Sequence, residues 1–141
     1  MTGENKKIIA FCCAESAYRA ADRAGRLRIR YPDNVRLIRV PCAGRVSVLH
    51  ILKAFEKGAA GVLVMGCQEG ACCHLTGNTR AKERVKKASA LLKEIGIDGN
   101  RVRMVNLAPE NHQQFVQEVS KLSEKLKELG PSPIRKGEVK K

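Results

Sequence analysis

Short apolar runs alternate with longer amphipathic stretches along most of this 141-residue chain. Each run has the length and apolar content of a buried strand, and the stretch after it repeats its apolar residues at intervals of three and four. This pattern predicts strands that alternate with helices. The predicted strands are 7–13, 35–40, 60–65 and 102–107, and the predicted helices are 14–27, 46–57, 78–95 and 111–129.

The alternation of strands and helices predicts the fold class. Consecutive parallel strands need right-handed crossovers, and the helices then cover both faces of the sheet. We therefore expect a flavodoxin-like, three-layer α/β/α domain over residues 1–130, with a four-stranded and mostly parallel sheet. Prolines follow the last predicted helix, and residues 131–141 are polar and basic, which is typical of a flexible tail.

The first two predicted helices differ in the size of the residues on their apolar faces. The first helix has alanines at helical spacing, and such small side chains allow a helix to approach a sheet closely. The second helix has larger apolar residues at the same spacing. The alanines are Ala17, Ala20, Ala21 and Ala24, and the larger residues are Val48, Leu49, Leu52 and Phe55.

The six cysteines lie where predicted strands end. Because the carboxyl ends of parallel strands meet at one edge of a sheet, we expect the cysteines to gather there. Alternate strand residues point to opposite faces, so only one of Cys12 and Cys13 can readily face a shared site. Cys12 and Cys13 end the first strand, Cys42 follows the second, Cys67 follows the third, and Cys72 and Cys73 lie just beyond.

Thiolates that arrive from separate loops suit a tetrahedral zinc ion or an iron–sulfur cluster. Structural zinc usually takes paired ligands at short spacing, whereas long intervals separate Cys13, Cys42 and Cys67. This spacing favours a redox cluster. Two alternatives stay open, namely a cluster-free or zinc-bound docking subunit and a dithiol–disulfide protein that uses Cys67 with Cys72 or Cys73. Burial as a small apolar residue is an alternative only for Cys12 or Cys13 taken alone.

The net charge of +13 narrows the class of partner. Arginines dominate the segment 18–45, and such a bias suits nucleic acid, an anionic cofactor or an acidic protein. The chain has two Tyr, three Phe and no Trp, so it offers few side chains for stacking on bases, and it has no nucleic-acid motif. We therefore expect no nucleic acid, and the basic surface suits an acidic protein partner or an anionic cofactor environment.

The hydropathy of the chain predicts a cytoplasmic protein without a membrane segment. No apolar stretch approaches the roughly 18 residues of a membrane span. The apolar run 8–13 is too short for the core of a secretory signal. In a reducing compartment, clustered cysteines are more often metal ligands or redox groups than structural disulfides.

Two cysteine motifs resemble those of the delta subunit of methyl-viologen-reducing hydrogenase. They are Cys-Ala-Gly-Arg-Val at 42–46 and Gly-Cys-x4-Cys at 66–72, and the similarity runs from about residue 7 to residue 130. The resemblance implies a 2Fe-2S protein that relays electrons between a hydrogenase or formate dehydrogenase and the flavin-containing A subunit of heterodisulfide reductase. It implies a non-catalytic subunit of an oxidoreductase complex.

The resemblance also implies a set of cluster ligands, which are Cys13, Cys42, Cys67 and Cys72. This chain departs from the family at one position. The family pattern has Cys-x-x-Cys after the first strand, whereas here Cys13 is followed by Ser16 at the second position. Ser16, Cys12 and Cys73 are therefore alternative ligands.

Overall fold

The computed structural model describes residues 7–32, 34–67 and 77–129, and it describes the side chains of all of these except 77–79. The predicted tail and two of the cysteines, Cys72 and Cys73, lie outside the described residues. In chain order the elements are β1 (Ile8–Cys13), α1 (Ala17–Arg26), β2 (Val35–Val40), α2 (Val48–Glu56), β3 (Gly61–Gly66), α3 (Gly77–Glu94), β4 (Val102–Asn106) and α4 (His112–Leu129).

The four strands form one sheet in the order β2-β1-β3-β4, and every neighbouring pair is parallel. The predicted three-layer α/β/α fold is confirmed, with a sheet that is parallel throughout its described strands. The order matches the first four strands of the flavodoxin-like arrangement. None of the helices in the described ranges is long and apolar enough to cross a membrane.

The sheet separates two hydrophobic cores, and the alternation of side chains along β1 assigns its residues to them. Ala10 and Cys12 pack with α1 and α4, where the four predicted alanines and Phe115 are buried. Phe11 packs on the opposite face with α2 and α3. The prediction of a small-residue face on α1 is thus confirmed.

The structure differs from the predictions at the start of two helices. Residues 14–16 form a turn, so α1 begins at Ala17 rather than at 14. A short 3-10 turn at Ala43–Arg45 follows β2, and α2 begins only after Ser47. Ser47 caps α2 because its Oγ accepts from the backbone N–H of His50, at 3.1 Å, while His50 Nδ1 accepts from the Ser47 N–H, at 3.0 Å.

The predicted apolar face of α2 is wrong at Leu49. Ile51 and Phe55 are the fully buried residues of this helix, and they lie four positions apart on one stripe. Leu49 lies off this stripe and is 62% exposed. Helical spacing alone allowed either stripe, and the position of α2 against the sheet decided between them.

Candidate functional site

The connectivity of the sheet reverses between β1 and β3. From β1 the chain crosses through α1 to β2 on one side, whereas β3 pairs with the other edge of β1. In open parallel sheets, ligands bind at the carboxyl ends of the strands next to such a reversal. Cys13 is the last residue of β1, and Cys67 directly follows β3. The topology therefore places two of the predicted ligands, Cys13 and Cys67, on the two strands that flank the reversal.

The thiols of Cys13 and Cys67 are in contact. Their Sγ atoms lie 3.7 Å apart, and the two residues are only 1% and 7% exposed. They do not form a disulfide, which would need a distance of about 2.05 Å. Two thiolates bound to one tetrahedral metal at about 2.3 Å would lie roughly 3.8 Å apart. The pair is therefore already spaced as two ligands of one tetrahedral metal ion would be.

Cys42 reaches the same edge of the sheet from the end of β2. It is buried, and its Sγ accepts from the backbone N–H of Gly44, at 3.4 Å. The Cys13 thiol lies 4.0 Å from the carbonyl oxygen of Pro41, so the end of β2 adjoins the Cys13–Cys67 pair. Within the described ranges, no three cysteine, histidine or acidic side chains converge closely enough to hold a metal ion. In this structure the Cys42 thiol therefore lies at the same edge but does not converge with the thiol pair on one metal position.

A guanidinium holds the turn that carries Cys42. Arg84 of α3 donates from one Nη1 to the carbonyl oxygens of Gly44 and Val46, the latter at 3.1 Å. This contact ties the Cys42 turn, residues 42–46, to the helix that follows the cysteine loop. The sequence offered no signal for this role, because Arg84 is one of many basic residues on α3.

Asn106 supports the Cys67 side of the thiol pair, a role that the sequence analysis did not predict. Its Nδ2 donates to the carbonyl oxygen of Cys67, at 2.7 Å. The backbone N–H of Leu107 donates to the carbonyl oxygen of Gly66, at 2.8 Å. A polar residue at the carboxyl end of β4 lies on the cysteine edge of the sheet, and this position was a usable signal.

Cys12 lies on the opposite face of β1 from Cys13. It is fully buried in the core that α1 and α4 cover, and its thiol lies 3.7 Å from the carbonyl oxygen of Ala10. Burial, with a smaller effect of the neighbouring Cys13, raises the pKa of Cys12 to about 12. The structure therefore gives Cys12 the environment of a core residue and does not bring it to the thiol pair.

Ser16, the position at which this chain departs from the family pattern, is buried at the same edge. It is 1% exposed, and its backbone N–H donates to the carbonyl oxygen of Cys13, at 3.3 Å. Its Oγ has no hydrogen-bond partner in the described part of the chain and does not cap α1. A buried hydroxyl without a partner costs about 1–3 kcal/mol. A buried hydroxyl without a partner, at the edge of the sheet that carries the buried thiols, fits a site whose polar groups contact a bound cofactor.

The donor set as a whole fits a thiolate-bound cofactor. The two touching thiols have the spacing of a metal-bound pair, a third thiol lies at the end of the neighbouring strand, and all three are shielded from water. The fourth predicted ligand, Cys72, lies outside the described residues.

The chain is similar to known iron–sulfur subunits over most of its length. The pattern that defines the family "methyl-viologen-reducing hydrogenase, delta subunit" matches residues 8–130. The iron-sulfur D subunit of the vhu F420-non-reducing hydrogenase of Methanocaldococcus jannaschii is 43% identical over 128 residues, which cover 91% of this chain and 96% of that protein. The corresponding protein of Methanopyrus kandleri is 44% identical, with 91% and 97% covered.

A third relative contains the same segment within a longer chain. The A subunit of the ferredoxin/F420H2-dependent CoB-CoM heterodisulfide reductase of Methanosarcina acetivorans is 39% identical over 124 residues. The match covers 88% of this chain but only 16% of that protein.

Proposed function

This chain belongs to the methyl-viologen-reducing hydrogenase delta subunit family, and on that premise we propose that it is an electron-transfer subunit that holds a 2Fe-2S cluster. The observation that carries the proposal is the buried contact between the thiols of Cys13 and Cys67, at 3.7 Å. Cys42 and Cys72 complete the proposed ligand set. When bound, such a cluster supplies a one-electron carrier, and the chain contributes the ligands, the shielding from water and the hydrogen bonds to sulfur.

The residues around the thiols have separate tasks in this proposal. Cys13 and Cys67 bind the cluster at the carboxyl ends of the two central strands, β1 and β3, where burial keeps water away. The Gly44 N–H donates to the Cys42 sulfur, and hydrogen bonds to ligand sulfur are one of the factors that set the reduction potential. Arg84 and Asn106 hold the backbone on either side of the pair. Such supporting contacts orient the ligands of a metal site.

The comparisons support the proposed partners. Similar proteins are named as iron-sulfur subunits of F420-non-reducing hydrogenases, and a similar segment forms part of the A subunit of a heterodisulfide reductase. A domain that is separate in one protein and fused in another often contacts the same neighbour in both. We propose that this chain relays electrons in the cytoplasm between a hydrogenase or formate dehydrogenase and a flavoprotein similar to the A subunit of heterodisulfide reductase.

Anaerobic reconstitution with iron and sulfide tests the cluster. The expected product contains about two irons and about two acid-labile sulfides per chain and gives a paramagnetic signal on one-electron reduction. Replacing Cys42 with Ala should abolish or change this signal. Zinc bound without sulfide would contradict the proposal and favour a zinc-bound docking subunit. A mass decrease of two hydrogen atoms after oxidation in air, with no iron bound, would instead favour a dithiol–disulfide protein.

A further inference from the structure

An open groove of about 650 Å³ lies on the face of the sheet that carries α2. It runs between α2 and the two neighbouring strands β1 and β2. Its floor is apolar and its rim is basic. The floor residues are Ile9, Phe11 and Ile38, and the rim lysines are Lys7, Lys53 and Lys57.

The groove exists because α2 leaves the edge strand uncovered. On the opposite face, Val35 and Leu37 of β2 pack into the core of α1 and α4. On the groove face, Ile38 is 41% exposed, because Ile51 and Phe55 hold α2 over the inner strands. This exposed apolar side chain lies on an edge strand, the part of a sheet that is open to contact with another molecule.

The apolar surface continues beyond the groove. Leu49 is 62% exposed on α2 and lies four residues before Lys53, so the two side chains are neighbours on the helix. A small ligand in the groove would leave Leu49 uncovered. The combined surface therefore suits a macromolecular partner better than a small molecule.

The positive charge of the rim favours a partner with acidic residues. Three lysines line the groove against one acid, Glu56, and the whole chain carries +13. A second copy of this chain that docked through the same groove would bring these lysines against one another, and any second copy carries the same net charge of +13. Residues 131–141 contain four lysines and arginines against one glutamate, so they do not complement the rim. An acidic partner is the occupant that the charge favours.

The shape of the groove indicates the form of that partner. On this face of the sheet α2 packs beside α3 over the inner strands, and the uncovered face of β2 leaves room for a further helix on the other side of α2. We propose that the groove binds an acidic amphipathic helix of a partner protein, with apolar residues on Ile38 and Leu49 and carboxylates on the lysines. This inference rests on the proposed function, because it assigns the docking surface of the proposed electron-transfer partner.

The position of the groove explains how docking would serve electron transfer. Phe11 lines the groove, and Cys13 is the next residue on the same face of β1. Residues two apart on a strand are separated by about 7 Å. A helix seated in the groove would therefore have one end, the end over Phe11, close to Cys13 and the proposed cluster.

Charge reversal on the rim tests the proposal. The variant carries Lys53→Glu and Lys57→Glu, and a second variant carries Ile38→Asp. The matched control, Lys82→Glu with Lys86→Glu on α3, has the same spacing and also changes exposed residues. The probes are the purified flavoprotein and hydrogenase subunits with which this chain is proposed to act. Both groove variants should bind one of them at least about tenfold more weakly, while the control binds normally.

Carbodiimide cross-linking identifies the occupant, because it joins a lysine amine directly to a carboxylate in contact with it. The expected product links Lys53 or Lys57 to an Asp or Glu on an amphipathic helix of the partner. A link to a second copy, to Glu138 of the same chain or to a partner segment that is not helical overturns the proposal. So does normal binding by the groove variants.

The iron and sulfide content of each variant separates this test from that of the proposed function. Groove variants that keep the cluster but lose binding support both proposals. If the wild-type chain takes up its cluster but binds neither probe, the docking proposal fails while the cluster assignment stands. Thermal melting of each variant confirms that a loss of binding does not come from unfolding.

Discussion

The sulfur atoms of Cys13 and Cys67 lie 3.7 Å apart, although 54 residues separate them along the chain. The parallel pairing of β1 with β3, in which Cys12 lies opposite Met65, brings the two strand ends together. Both thiols are buried at the position where the sheet connectivity reverses. This contact is the structural basis of the proposed cluster site.

The neighbouring cysteines Cys12 and Cys13 should differ completely in their effect on the cluster. Cys13→Ala removes one thiol of the pair, so the reconstituted protein should lose most of its iron and sulfide. Cys12→Ala is the matched control, because Cys12 faces the α1/α4 core and should be dispensable for binding. Iron and sulfide analysis with visible absorbance provides the measurement. Loss of the cluster from the Cys12 variant alone would contradict the ligand assignment.

Removing the Ser16 hydroxyl should not destabilise the cluster-free protein. Its Oγ has no partner in the described part of the chain, so Ser16→Ala should leave the free energy of unfolding unchanged or raise it by up to about 3 kcal/mol. Ser47→Ala is the control, because Ser47 does cap a helix and its loss should cost about 1 kcal/mol. Urea denaturation measures both. An equal loss of stability in the two variants would show that Ser16 has a structural partner.

The stability of the cluster-free protein should fall in alkaline solution, and Cys12 should contribute to the fall. Its pKa is raised from 9.0 to about 12, so above pH 9 the unfolded thiol ionises while the folded thiol keeps its proton. The unfolded state then binds fewer protons, and the free energy of unfolding decreases by about 1.4 kcal/mol per pH unit up to about pH 12.

Cys12→Val is the variant that isolates this contribution. It should show a shallower decrease between pH 9 and 11 than the wild-type chain, whatever its stability at pH 7. Denaturant unfolding at a series of pH values gives the two slopes. Identical slopes would show that folding does not raise the pKa of Cys12.

Arg84 should control the accessibility of Cys42. Arg84→Gln removes the cation that donates to the carbonyl oxygens of Gly44 and Val46. The Cys42 turn should then open more often, and the free energy of unfolding should fall by about 1–3 kcal/mol. The measurement is the rate of iodoacetamide labelling of Cys42 in the cluster-free protein, followed by peptide mass spectrometry.

Arg80→Gln is the control for this variant, because Arg80 is exposed one turn earlier on the same helix. It should leave the labelling rate of Cys42 unchanged. If both variants accelerate labelling equally, the effect comes from the charge of α3 rather than from the contact with the turn.

The succession of strands and helices follows from local patterns in the amino-acid sequence. Apolar periodicity is a local property, so β2 was predicted with its observed ends, and the alanine face of α1 was predicted correctly. The same periodicity also showed that Cys12 and Cys13 must face opposite ways. Each of these results depends only on residues a few positions apart.

Which of these residues meet depends on the packing of the whole chain. The contact between Cys13 and Cys67 depends on strand pairing across 54 residues, and nothing in the local pattern specifies that pairing. The exposure of Leu49 and the burial of Ser16 likewise depend on where α2 and the turn after β1 lie against the sheet. Periodicity shows which residues of a helix or strand share a face. The packing of the whole chain decides what that face touches, because its free energy comes from contacts between segments that are distant in sequence.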